Sequence, residues 1–413
     1  MDAAGLEVVV DPSLTLQALA WVLAGATLGS ISGLIPGLHA NNFALLLAGI
    51  APSVPGPPLF VGLAMLSAGV VHTFLNAVPA MALGVPDAEM AVTALPGHRM
   101  VLEGRGYEAI RLSALGSILA VLVAVPLAVP VTWAVTAVYP TVRSNLPIVL
   151  AIVALLLVLS EYSWRARFGA ALSFALAAAL GLLTLDLSPE APLEAGGMLA
   201  PLFAGLFGAP VLIDAIRGGG IPPQGDDAIR MPRILLCLTA LAGALAGAVV
   251  GYIPGISAAI AAVAVLVVIP RGSTDRGYIV ATSGVDTANT IFALFALVAI
   301  GQPRTGVMVA FENANAPLSL PVLVGGVVLA GLIGFLLVIV LGDYYLEVVG
   351  QVAYWKISAA VLSLLVVLSY LFTGFVGIVV FAVAAAIGMV PIRLRARRVN
   401  LMGVLIGPLI FSV

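Results

Sequence analysis

Apolar residues recur along this chain as long uninterrupted runs, broken at intervals by short clusters of Gly, Pro and polar residues. Runs near 14–35, 58–78, 109–138, 145–160, 167–185, 197–215, 234–252, 278–300, 320–342, 356–370 and 372–391 hold few charges. About 20 such residues in a helix cross a hydrocarbon core of roughly 30 Å. Shorter apolar pieces lie at 40–52, 256–270 and 401–413. Lipid leaves a spanning backbone no hydrogen-bond partner but itself, so the pattern predicts an all-α polytopic membrane protein with about 10–12 spans plus half-helices.

Composition narrows the picture further. Of 413 residues, 62% are hydrophobic and 9% charged, which excludes a water-soluble globular domain. The opening Met1 to Glu7 is acidic where a secretory signal is basic, so the first run is read as mature structure. The net charge of −2 matters less than where the arginines stand. Arg393, Arg395, Arg397 and Arg398 form the densest cluster, followed by Arg165 with Arg167 and by Arg217, Arg230 and Arg233. The first cluster is assigned to the cytoplasm. The scatter of the others is no phosphate-reading surface, so the lipid bilayer, and no nucleic acid, is the expected macromolecular partner. Cys237 is the lone cysteine, which excludes an intrachain disulfide.

The chain repeats itself. Leu23 to Gly37 (LAGATLGSISGLIPG) returns as Leu241 to Gly255 (LAGALAGAVVGYIPG), and Gly84-Val85-Pro86 and Gly301-Gln302-Pro303 follow at matching distances. A Gly/Pro-rich polar stretch lies between the copies, so the chain is divided into a first membrane repeat (1–217), a polar linker (218–232) and a second repeat (233–413). Duplicated membrane proteins with helices broken at matching places are commonly secondary transporters, with the site between the repeats near mid-bilayer. Whether the copies are inverted or parallel is open at this stage.

The breaks themselves suggest chemistry. Pro36-Gly37 and Pro254-Gly255 should each end one helix and begin another inside the membrane. The opening N–H groups of each new half-helix, around His39, Asn41 and Asn42 and around Ser257, lack carbonyl partners and sit at a positive dipole end, which suits a carboxylate or phosphate. The spaced glycines Gly25, Gly29 and Gly33, matched by Gly243, Gly247 and Gly251, read as close-packing surfaces.

Asp286 is the one carboxylate inside the run 278–300, with Ser283, Thr287, Asn289 and Thr290 around it. A charge at that depth costs at least about 2.5 kcal/mol. Asp286, Asn289 and Thr290 share a helical face, giving hard oxygen ligands for Na⁺ or a carboxylate that takes a proton. His72 and Asn76 share a face in the first repeat, with Thr73 between them and Pro79 beyond. The expected ion-coupling set is therefore Asp286, Asn289, Thr290 and His72. The expected substrate set is Pro36, Gly37, His39, Asn41, Asn42, Asn76, Pro254, Gly255 and Ser257. Glu312, Asn313 and Asn315, like Asp87 and Glu89, read as loop residues. Neither a metalloenzyme spacing among His39, His72 and His98 nor a phosphate loop appears, so no catalytic residue and no resident cofactor is assigned.

In order along the chain, Gly33-Leu-Ile-Pro-Gly37, Asn76-Ala-Val-Pro79, the long segment Thr93-Ala-Leu-Pro-Gly-His-Arg-Met to Ala109, Leu202-Phe-Ala-Gly-Leu-Phe-Gly208 and Gly251-Tyr-Ile-Pro-Gly255 resemble the TctA family. This family is the large membrane subunit of tripartite tricarboxylate transporters, here in a short form typical of archaea. The resemblance implies uptake of citrate-like di- or tricarboxylates driven by Na⁺ or H⁺, in the cell membrane. It also implies two partners, a small membrane subunit and an extracytoplasmic binding protein. His39 departs from the small hydroxyl residue usual after the Pro-Gly pair in bacterial members. Two other readings fit the residues: a translocase of polyprenyl-phosphate carriers, and a non-transporting membrane scaffold.

Overall fold

The computed structural model describes residues 11–38, 40–85, 94–193, 197–216, 221–225, 228–252, 258, 261, 265, 275–301 and 303–411. Every regular element among them is helical. Among the described residues eight helices are long and apolar enough to cross a membrane, which makes the protein a multi-pass membrane protein.

Before the polar stretch at 218–232 lie α1 (Pro12–Leu34), α2 (Ala40–Ile50), α3 (Pro58–Leu75), α4 (Ala77–Leu83), α5 (Ala94–Leu102), α6 (Gly106–Ser144), α7 (Leu146–Leu159), α8 (Trp164–Thr184), α9 (Leu199–Phe203), a π turn (Ala204–Gly208) and α10 (Ala209–Ala215). After it lie α11 (Arg233–Tyr252), α12 (Asp275–Ile300), α13 (Gly306–Asn313), α14 (Leu320–Gln351), α15 (Tyr354–Leu394) and α16 (Gly403–Phe411). Local chemistry sets the boundaries. Asp11 caps α1 by accepting from the Ser13 and Leu14 N–H groups at 2.8 and 3.3 Å, with Pro12 in the first helical position. Pro79 has no N–H for the carbonyl four residues back, and the helix is interrupted there between Leu75 and Ala77.

The runs 356–370 and 372–391 fall on the two helical stretches of α15, parted by a kink where Thr373 and Gly374 leave the helical region, and two other expectations are amended. Gly374 lies at φ +60 and the Leu193 N–H donates to the Leu371 carbonyl beside the kink at 2.9 Å, so a neighbouring loop satisfies what the bend disturbs. Glu312 and Asn313 form the last turn of α13 instead of lying in a loop, and the helix ends at Ala314, just before Asn315 turns left-handed at φ +49. The inter-repeat stretch is docked where it is described: Gln224 accepts from Gly106 N–H at 2.7 Å and Gly225 N–H donates to the Gly104 carbonyl at 2.8 Å.

The two glycine ladders pack alike. A Cβ added at Gly25, Gly29 or Gly33 would come within 2.2, 2.4 and 3.1 Å of the carbonyl oxygens of Ala64, Ala68 and His72 on α3. Added at Gly243, Gly247 or Gly251, it would come within 2.6, 2.7 and 3.2 Å of those of Ala281, Val285 and Asn289 on α12. Only hydrogen fits between these backbones, and the gain is dispersion along two helices rather than a hydrophobic effect, which lipid does not supply.

These contacts also fix directions. Residue numbers rise together between α1 and α3 and between α11 and α12, so each pair is parallel. Helix α14 runs parallel to α3, with Gly326 on Leu63 and Gly334 on Phe74, and antiparallel to α6, with Gly331 on Val121 and Gly342 on Ile110. Helix α6 in turn runs with α11, since Glu108 meets Arg230 near their starts and Thr132 meets Tyr252 further along. The pair α1 and α3 therefore points opposite to α11 and α12.

One end of the bundle is ionic. Glu108 accepts from Arg276 Nε at 2.7 Å, from the Arg230 N–H at 2.9 Å and from Arg105, while Arg111 holds Asp343 with two bonds of 2.6 and 2.7 Å. Glu161 and Arg397 pair at 3.1 Å, and Arg398 lies within electrostatic reach of Asp214 and His98, which places the Arg393–Arg398 cluster at this same end.

Candidate functional site

Helices α3 and α12 are the most enclosed spans, and they carry the densest set of buried polar groups. Asn76 donates from Nδ2 to Asp286 Oδ2 at 2.8 Å, and the Thr73 and Thr287 hydroxyls share a hydrogen bond of 3.0 Å. Asp286 is 0% exposed and sits near the middle of α12, so it is intramembrane, not a loop residue. The close approach at Gly33 brings the neighbouring Ser32 to His72, where its hydroxyl stands 2.9 Å from Nδ1. A second serine contact, Ser113 to Ser283 at 2.8 Å, extends the seam from α12 to α6. Ser32, Thr73, His72, Asn76, Asp286 and Thr287 thus form one buried polar seam across three helices. A hydrogen bond to a charged group contributes about 1.5–3 kcal/mol, the same order as the insertion cost of the carboxylate.

The grouping drawn from helical spacing is redistributed by packing. Asp286 turns toward Asn76, while the backbone of Asn289 faces the α11 ladder at Gly247 and Gly251. Asn289 and Thr290 are both buried, at 4% and 5% exposure. Ser32 and Ser113 are the contacts that sequence reading passed over. The signal for Ser32 was its place next to Gly33, where a short side chain reaches the facing helix.

The first break is real. Helix α1 stops at Leu34, Ile35 turns extended, Gly37 takes φ +72, and α2 starts at Ala40. A residue before Pro avoids the helical region and Gly tolerates the left-handed one, which explains both turns. A Cβ at Gly37 would lie 2.6 Å from Leu365 and 3.8 Å from Val85, and one at Gly208 would lie 3.2 Å from each of them. The Pro36-Gly37 break, the turn after Gly84 (φ +66) and the π turn of Ala204–Gly208 therefore meet at one place, against α15. Irregular backbone survives at membrane depth where it is enclosed by protein or lines a polar hollow, and π turns concentrate at functional sites. Asn41 and Asn42 lie in the first turn of α2. His39, Pro254, Gly255 and Ser257 lie outside the described residues, as do Asp87 and Glu89.

Close to this junction, His98 of α5 donates from Nδ1–H to the Met81 carbonyl at 2.8 Å, and its ring packs under Gly84. Burial pushes its pKa below the ordinary histidine value.

The chain matches the model of the tripartite tricarboxylate transporter TctA family over residues 19–403. The chain belongs to the TctA family. Both Pro-Gly pairs, the polar seam and the segment Ala94–Ala109 fall inside the matched region. The protein is also similar to the "Uncharacterized protein MJ1079" of Methanocaldococcus jannaschii, at 28% identity over 405 residues, covering 95% of this chain and 98% of that protein. No solved structure matches this TctA chain.

Proposed function

We propose that the protein is a secondary active transporter of small organic anions of the di- or tricarboxylate class. Family membership makes it a transporter subunit of the tricarboxylate type. The finer reading places the anion at the junction of Pro36-Gly37, His39, Asn41 and Asn42 with the equivalent break at Pro254-Gly255 and Ser257. It places the coupling ion, Na⁺ or H⁺, at Asp286.

The observation that carries the reading is the Asn76–Asp286 hydrogen bond. It sets a fully buried carboxylate between two helices whose parent units point in opposite directions. That is the arrangement expected of inverted repeats, in which rocking of one unit against the other gives alternating access around a midplane site. A seam that opens when the units separate exposes Asp286 to a cation on either side. The ionic end, with its arginines and the linker, is cytoplasmic under this reading. A small membrane subunit and an extracytoplasmic binding protein complete the tripartite system.

Purified protein in liposomes is expected to accumulate citrate under an inward Na⁺ or H⁺ gradient, and Asp286→Asn to abolish gradient-driven accumulation. Equal accumulation by both proteins would reject the coupling role.

A further inference from the structure

We propose that Arg304 binds one carboxylate of the transported anion at the end of the molecule opposite the linker. The proposal rests on the carboxylate-transport reading above and adds a recognition residue to it.

Several arginines of the ionic end are paired with carboxylates: Arg99 with Asp275, Arg105 and Arg276 with Glu108, Arg111 with Asp343 and Arg397 with Glu161. Arg304 is different. It stands past the C-terminal end of α12, and its Nη2 donates to the Tyr139 hydroxyl at 2.8 Å while the guanidinium lies 5.5 Å over the Tyr139 ring. Among the described residues no carboxylate pairs with it, and its Nε is buried without an acceptor. A buried donor left unmatched costs free energy. A guanidinium offers a planar fork of donors that fits a carboxylate with two parallel bonds. The Tyr139 phenol holds the fork from one side and leaves the remaining donors for an acceptor outside the described residues.

The position suits an approach to the site. Tyr139 lies two turns beyond Thr132 on the same face of α6, roughly 10 Å along the helix. Thr132 is hydrogen-bonded to the hydroxyl of Tyr252, two residues before Pro254 in the sequence. The turn that carries Arg304 starts at Gly301 with φ +68, as the turn that brings Val85 to Gly37 starts at Gly84 with φ +66. Arg304 therefore stands just past the turn that corresponds to the one touching Gly37 through Val85. A lipid phosphate offers the same chemistry as a carboxylate, and the test separates the two.

Uptake of citrate, succinate and acetate is measured in liposomes of neutral lipid and in liposomes containing phosphatidylglycerol. Arg304→Gln is expected to raise the KM for citrate and succinate about tenfold or more, equivalent to about 1.4 kcal/mol of lost binding, with less change for acetate and with Vmax retained. Arg304→Lys should recover part of the loss and Tyr139→Phe should cause a smaller one. Citrate should raise the melting temperature of the wild type and of Arg304→Lys in detergent, but not that of Arg304→Gln. An unchanged citrate KM in Arg304→Gln overturns the proposal and leaves the transport reading standing. A defect that appears only with phosphatidylglycerol overturns it in favour of a headgroup contact. Absence of carboxylate uptake by the wild type under either gradient removes both.

Discussion

The unit of α1 with α3 and the unit of α11 with α12 use one packing scheme for two different chemical loads. In both, three glycines spaced by four press against carbonyl oxygens spaced by four. The first unit then places Ser32, His72 and Asn76 at the last glycine of its ladder, whereas the second places Val250, Asn289 and Ala293 there and carries its charge one turn earlier, at Asp286. The scaffold is kept and the polar groups are not. When two such units face each other in opposite directions, the donor comes from one and the carboxylate from the other, as in the Asn76–Asp286 bond. A symmetric frame can thus hold an asymmetric site, and separating the units breaks the polar contact without unpacking either ladder.

The strongest way to break this comparison is to spoil one ladder at a time. Gly29→Leu and Gly247→Leu are expected to damage folding equally, because each new side chain meets main-chain atoms that cannot swing aside, at 2.4 and 2.7 Å. The expected outcome is loss of a monodisperse peak in size-exclusion chromatography for both; a wild-type profile for either one shows that its ladder is not needed. Next in size, Asn76→Ala removes a donor from the buried carboxylate and should lower stability by about 1–3 kcal/mol, read as a lower melting temperature in detergent. Ser32→Ala, which leaves that carboxylate alone, should cost no more than about 0.5–1.5 kcal/mol. If the two variants melt together, the seam does not act through Asp286. The mildest test leaves function untouched and asks which way the units face. With Cys237 replaced by Ala, Tyr162→Cys (98% exposed, beside Glu161 at the ionic end) should resist a membrane-impermeant maleimide on intact cells. Glu312→Cys, on the exposed last turn of α13, should react. The reverse labelling pattern would invert the proposed orientation.

The sequence by itself determined that the chain is an all-helical, multi-pass membrane protein of the TctA family. The reason is that lipid imposes length and polarity on each span separately, so local composition suffices. The same holds for the first Pro-Gly break, since φ restrictions at Pro and Gly act within a few residues, and for the depth of Asp286. Tertiary structure decided which polar groups meet. Helical spacing placed Asp286 with Asn289 and Thr290, yet Asn289 turns its backbone to the α11 glycines and Asp286 finds Asn76 more than two hundred residues earlier. Ser32, the π turn of Ala204–Gly208 and the kink at Gly374 acquire meaning only from the helices pressed against them. Helix direction is likewise a property of pairs: no single span records which way it crosses the bilayer relative to another, and that relation is what sets a donor from one unit against a carboxylate of the other.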